Sequence, residues 1–303
     1  MKTLKSKIRN IDFIFKIYFF LKTELSILKY RFGATPVLIY NLGKVGSSSV
    51  RKSLVSSNKY AVFNAHKLTE NGLLRQKKFE GVGKKQADYK MATYLAKRLK
   101  NIFFNKNTSR LKIVALTRLP VSRGVSAIFE SILVDRPTLQ SDILQNKINV
   151  NDLVSYYENE CVIPDKNMSW DDFPADWKAG PLAFDWVEKE LINMTGLNIY
   201  ETSFDKERGY KIYKNHNIDL LVIRLENLKD VAKQAFNEFL GCDDFSLINT
   251  NVGEEKFYAP IYKEFKRNLK LDEDYLNSMH TTKYAKYFYT DAELEKEKLL
   301  FIK

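Results

Sequence analysis

Apolar residues gather in four short runs, Val37-Leu38-Ile39-Tyr40, Tyr60-Ala61-Val62-Phe63, Leu111 to Thr117 and Leu220 to Arg224. Each is rich in β-branched or aromatic residues, which predicts strands covered on both faces, since a half-exposed strand would alternate apolar with polar positions. Between the runs the period lengthens. Ser47 to Ser56, Gln86 to Lys100 and Pro120 to about Val134 predict helices, the last stopped by Asp135-Arg136-Pro137. Gly209 to Leu225 predicts two strands around the turn Asn215-His216-Asn217. From Glu226 onward the pattern is helical, broken by a loop near Asn249 to Glu255, and residues 161 to 180 form an insertion loop with Pro164, Pro174 and Gly180. Strands alternating with helices predict an α/β fold around a central, doubly wound parallel sheet with a helical C-terminal portion.

The first 33 residues read as a basic amphipathic helix ahead of one domain over 34–303. Ile11 to Leu28 is rich in Phe, Ile and Leu, but Asp12, Lys16, Lys22 and Glu24 interrupt it, so a membrane span is not expected. No small-residue cleavage site follows it, so a signal peptide is not expected either. Two alternatives stay open: the helix docks on the domain, or it makes peripheral contact with a bilayer. The expected location is accordingly cytoplasmic, either free or peripheral at the inner face of the membrane.

The 303 residues carry 49 basic and 37 acidic side chains, a net charge of +12, which suits nucleic acid, a membrane surface or a polyanionic small molecule. Zinc-finger spacing and ribonucleoprotein motifs are absent, so nucleic acid is not expected as a partner. Cys161 and Cys242 form no redox or metal pattern, consistent with a reducing compartment. Neither an HExxH pattern nor a Cys/His cluster occurs among the three histidines, so no metal is expected.

The first strand runs into Asn41-Leu42-Gly43-Lys44-Val45-Gly46-Ser47-Ser48-Ser49. Free N–H groups, a helix dipole, three hydroxyls and a lysine converge there, which is an anion site. A Walker A loop would place its lysine after the second glycine. Here Lys44 precedes Gly46. After the strand ending at Thr117 comes Arg118-Leu119-Pro120, with Pro120 suited to a first helical turn and Ser126 pointing back from the second. A guanidinium and a hydroxyl there suit a phosphate monoester.

Lys-x-Gly-Ser-Ser after a first strand resembles the 5'-phosphosulfate loop of sulfotransferases that use 3'-phosphoadenosine 5'-phosphosulfate (PAPS). Arginine, seven residues and serine, with a proline two places on, resembles their 3'-phosphate motif, with Leu119 where they usually carry an acid. The resemblance implies a P-loop-like three-layer fold of the sulfotransferase type, with PAPS held by Lys44, Val45, Gly46, Ser47, Ser48 and Ser49 at one phosphate and by Arg118 and Ser126 at the other. It also implies that Lys44 stabilises the leaving oxygen.

Val62-Phe63-Asn64-Ala65-His66 resembles the His-x-His segment of carbohydrate sulfotransferases, with Asn64 in the first place, and implies His66 as the catalytic base. Glu130 and Glu226 are alternative bases; His216 and His280 read as structural or exposed. Phe184-Asp185-Trp186, Phe204 to Tyr210, Lys256-Phe257-Tyr258-Ala259 and the Lys283 to Tyr289 run together resemble the bacterial capsular polysaccharide synthesis family that carries an Asn-Lys-Trp-Tyr-Ser signature, over an expected span of 36 to 295. By position Lys256 would close over the cofactor, and Trp170 and Trp177 either stack on sugar rings or pack on the domain. The aromatic residues from Phe257 to Phe265 fall at helical spacing, as core residues do. The expected activity is transfer of a sulfuryl group to a hydroxyl of a surface glycan or its lipid-linked precursor, the alternatives being a P-loop sugar kinase and a non-catalytic part of a capsule assembly complex.

Overall fold

The computed structural model describes residues 12–79, 84–104, 110–135, 142–143, 145, 147–160, 180–248 and 258–303. Lys256, Phe257, Cys161, Trp170, Trp177, the side chain of Glu130, all but the last residue of the predicted 161–180 loop and the loop at 249–255 lie outside the described residues.

Five strands form one sheet in the order β2-β1-β3-β5-β4, with β1 Thr35–Tyr40, β2 Tyr60–Ala65, β3 Leu111–Thr117, β4 Tyr210–Lys214 and β5 Ile218–Arg224. The pairings among β2, β1, β3 and β5 are parallel, while β4 runs antiparallel beside β5 at the edge, which corrects an all-parallel reading to a mostly parallel one. The short turn at Asn215 to Asn217 dictates this, because a connection of three residues can only fold back. Asn215 shapes it, its Oδ1 accepting the N–H groups of Asn217 and Ile218 at 3.0 and 2.8 Å.

Helices cover both faces. Leu38 and Tyr40 of β1 pack toward α1 Asp12–Arg31, α4 Lys84–Leu99, α5 Pro120–Asp135, α6 Val150–Glu160 and the C-terminal helices, among them α8 Ala259–Asn268. Val37 and Ile39 pack the other way, against α2 Ser47–Ser56 and α7 Leu225–Leu240. Alternation along one strand thus fills two cores, each fully buried leucine or valine adding about 1.5–3 kcal/mol. The pattern reading misses α3 Glu70–Phe79 and α6, both short and mostly polar, and the helical turns between Pro181 and Thr195.

The strand order also opens a crevice. β1 lies between β2 and β3, so the chain leaves β1 to one side and later returns to the other. The carboxyl end of β1 is therefore a topological switch point, where open α/β sheets hold ligands.

Candidate functional site

Tyr40 pairs with Ala65, so Asn41 and His66 leave β1 and β2 level with each other. The His66 Nδ1–H donates to the Asn41 carbonyl at 2.7 Å. A carbonyl only accepts, so the neutral ring carries its proton on Nδ1 and presents Nε2 as its basic nitrogen. Trp186 fixes the same residue from behind, its Nε1–H donating to the His66 carbonyl at 2.6 Å. An ideal Cβ built on Gly43 would lie 3.7 Å from His66 Cε1, so the ring sits against the loop.

The loop is wound by positive φ angles at Gly43 (84°), Lys44 (61°) and Gly46 (84°). Such left-handed residues in a turn let neighbouring N–H groups face a common side, the backbone arrangement of anion-binding nests. Asn41 starts it, its Oδ1 accepting the Gly43 N–H at 3.1 Å, while its buried Nδ2 has no hydrogen-bond partner. Lys44 is a non-glycine residue in a region such residues rarely adopt, a conformation that persists only where surroundings impose it.

Those surroundings are two arginines. Arg118 Nη1 donates to the Lys44 carbonyl at 3.1 Å, and Arg123 donates from Nε to the Gly43 carbonyl at 3.4 Å and from Nη2 to the Leu42 carbonyl at 3.3 Å. Arg123 is buried, which lowers its pKa to about 10, with Arg118 pushing the same way and nearby tyrosines opposing. It stays cationic at neutral pH beneath the loop. The sequence pattern assigns Arg123 no role; its only signal is a second arginine five residues after the first.

Val45 is fully buried in the core below, so it offers only its backbone to a ligand. Ser47 and Ser49 are half-buried, Ser48 is exposed, and all three stand in the first turn of α2. Ser126 and Arg118 come together through α8: the Tyr262 hydroxyl is hydrogen-bonded to both, and burial raises its pKa.

Helix starts separate this loop from its neighbours. At the start of α3, the buried Glu190 carboxylate accepts from the N–H groups of Leu68 and Thr69 at 2.9 and 3.1 Å, from Thr69 Oγ1 at 2.8 Å and from the Tyr40 hydroxyl. At the start of α5, Glu226 takes the Leu119 N–H at 2.8 Å and Glu297 takes those of Val121 and Ser122 at 3.2 and 2.8 Å. Pro120 has no N–H to offer. Glu226 thus supplies a carboxylate to this helix start from after β5. The α2 helix instead opens on Gly46, which brings no side-chain cap.

Of the other sequence candidates, Glu226 is engaged at α5 and also receives the Tyr289 hydroxyl at 3.2 Å; burial raises its pKa. His280 is buried with Nε2 3.0 Å from Glu297 Oε2. His216 lies in the β4–β5 turn, where its carbonyl accepts from Arg110 at 3.3 Å. Both therefore stand outside the loop cluster. Among the described residues, no group of three or more His, Cys, Asp or Glu side chains could hold a metal ion.

The family model described as "Putative capsular polysaccharide synthesis protein" matches residues 181–290, a narrower span than 36 to 295. The matched segment supplies Trp186, which holds His66, Glu190 and Glu226 at the neighbouring helix starts, and Tyr262 beside Arg118 and Ser126, whereas Lys44, His66, Arg118 and Ser126 themselves lie before it. Neither a curated protein nor a solved structure matches the chain.

Proposed function

We propose that this chain transfers a sulfuryl group from PAPS to a hydroxyl of a bacterial surface glycan or its lipid-linked precursor. The observation that carries the reading is the loop wound by positive φ at Gly43, Lys44 and Gly46 at the switch point, leading into a helix that opens on a glycine, beside two helix starts held by Glu190, Glu226 and Glu297. Lys44 borders that anion site, Arg118 touches the loop and shares Tyr262 with Ser126, and His66 stands across it. One site for the bridging phosphate and one for the 3'-phosphate thus adjoin. The match to a capsular polysaccharide synthesis family over 181–290 supports a glycan as acceptor.

In this reading His66 Nε2 takes the proton of the acceptor hydroxyl as that oxygen forms its bond to sulfur. The bond from sulfur to the bridging phosphate oxygen breaks, Lys44 and the α2 amides stabilise the charge left on that oxygen, and adenosine 3',5'-bisphosphate departs. Residue types also speak against the sugar kinase reading: β3 and β5 run into Arg118 and end at Arg224, where a nucleotide kinase would place a magnesium-binding acid.

Radiolabelled PAPS incubated with the protein and glycan extracts is expected to label the glycan. Lys44→Ala and His66→Ala should each lower transfer at least about 100-fold, and Arg118→Ala should weaken calorimetric binding of adenosine 3',5'-bisphosphate at least about tenfold. Failure of the wild-type protein to bind the bisphosphate would sink the reading.

A further inference from the structure

The α1 helix has two apolar faces, and the domain uses one. Toward the domain it turns Thr23, Ile27 and the half-buried Phe20 and Tyr30, with Ser26 Oγ donating to the Val62 carbonyl at 3.1 Å. Away from the domain it shows Ile17, Tyr18, Leu21, Leu25 and Leu28, continued by Phe32 just past its end. At 3.6 residues per turn these six fall within an arc of about 100°. Leu21 and Leu25 are each 59 % exposed and Phe32 84 %, too much contiguous apolar surface on one helix to be incidental.

Cations border this stripe. Lys29 and Arg31 are exposed on the helix itself, Lys29 donating to Asn58 Oδ1 at 2.5 Å, a neutral partner that leaves its charge in place. Lys22 sits near Arg51 of α2, and burial together with Arg51 lowers its pKa; Arg51 and Lys52 are exposed. Glu24, on the far flank, is already paired with Arg98 at 2.7 Å. We infer that this face of α1 docks in the plane of an anionic lipid surface, the stripe entering the acyl boundary and the lysines and arginines meeting headgroups.

A second copy of the chain is the poorer occupant. Face-to-face pairing would bring Lys22, Lys29 and Arg51 of two molecules together, each molecule carrying +12. An anionic bilayer satisfies both the stripe and its cations. The geometry also orients the molecule: Lys29 bonds ahead of β2 and Ser26 halfway along it, so the start of α1 points toward the end of the sheet that holds His66.

Docking of this kind does not depend on the donor chemistry. Full-length protein is expected to co-float with vesicles containing about a third phosphatidylglycerol in phosphatidylcholine, and much less with phosphatidylcholine alone. Leu21→Gln with Leu25→Gln, and separately Lys29→Glu with Arg51→Glu, should each lower the bound fraction at least about tenfold with unchanged melting temperature and bisphosphate affinity. No flotation with anionic vesicles, equal flotation with neutral ones, or a wild-type dimer dissolved by the leucine pair would each overturn it, the last naming a second copy as occupant.

Discussion

A Cβ added at Gly46 would lie 2.4 Å from Leu225 Cδ1, and φ of +84° already places the residue where other side chains are strained. Gly196 offers a control, with φ of +67° and nothing within 4 Å of an added Cβ. Gly196→Ala should cost about 1 kcal/mol, whereas Gly46→Ala should cost about 2–3 kcal/mol and also weaken bisphosphate binding, because Leu225 must move and the start of α2 with it. Urea unfolding of both variants, with calorimetry of the second, checks this; equal losses would mean that Leu225 gives way freely. Lys44, Gly46 and Arg118 were legible because each directly follows its strand and the order of residue types has a chemical meaning. Arg123 was not, since its partners are carbonyls eighty residues away whose identity leaves no mark in sequence. The tautomer of His66 was equally hidden, being set by register between β1 and β2.

Each helix that follows a parallel strand begins near the crevice with unpaired amides, and what fills them decides what the crevice binds. Glu190 fills those of α3 and is itself buried, which raises its pKa while the bonds from Tyr40, Leu68 and Thr69 pull it back. A carboxyl whose folded pKa lies above its unfolded value adds stability that is complete below the unfolded pKa and declines as pH rises through the folded one. Glu190→Gln removes that titration, so its destabilisation relative to the wild-type protein should be largest near pH 5 and narrow as pH rises toward 8. Denaturant melts at several pH values test it, and parallel stability curves for the two proteins would contradict it. Strands were readable because runs buried on both faces leave an unbroken apolar signature. Capping was not, because Glu190 and Glu297 lie more than a hundred residues from the amides they hold, inside stretches that read only as amphipathic.

For the molecule as a whole, the open question of the sequence was whether the N-terminal helix belongs to the domain. It packs there: Glu24 accepts from Arg98 Nε and Nη2 at 2.8 and 2.7 Å and from the Tyr94 hydroxyl at 2.5 Å, Phe20 meets Tyr94 edge-on at 4.4 Å, and Tyr30 packs on Phe103 at 5.0 Å. Docking on α4 and β2 leaves the opposite stripe in place, so the two alternatives raised by the sequence are compatible. Composition could not reveal this, because a helix apolar on two faces has no single stripe to read. Removing residues 1–33 would strip Ile27 and Tyr30 from the core that holds Phe63 and Phe103. The truncated chain should therefore melt at least about 5 °C lower by calorimetry, and Glu24→Gln in the full chain should lower the melt by a smaller amount. If both retain the wild-type transition, α1 contributes nothing to folding and 33/34 is a boundary between independent units. If both fall, the helix is part of the fold, and truncation is the wrong way to ask what its outer face binds.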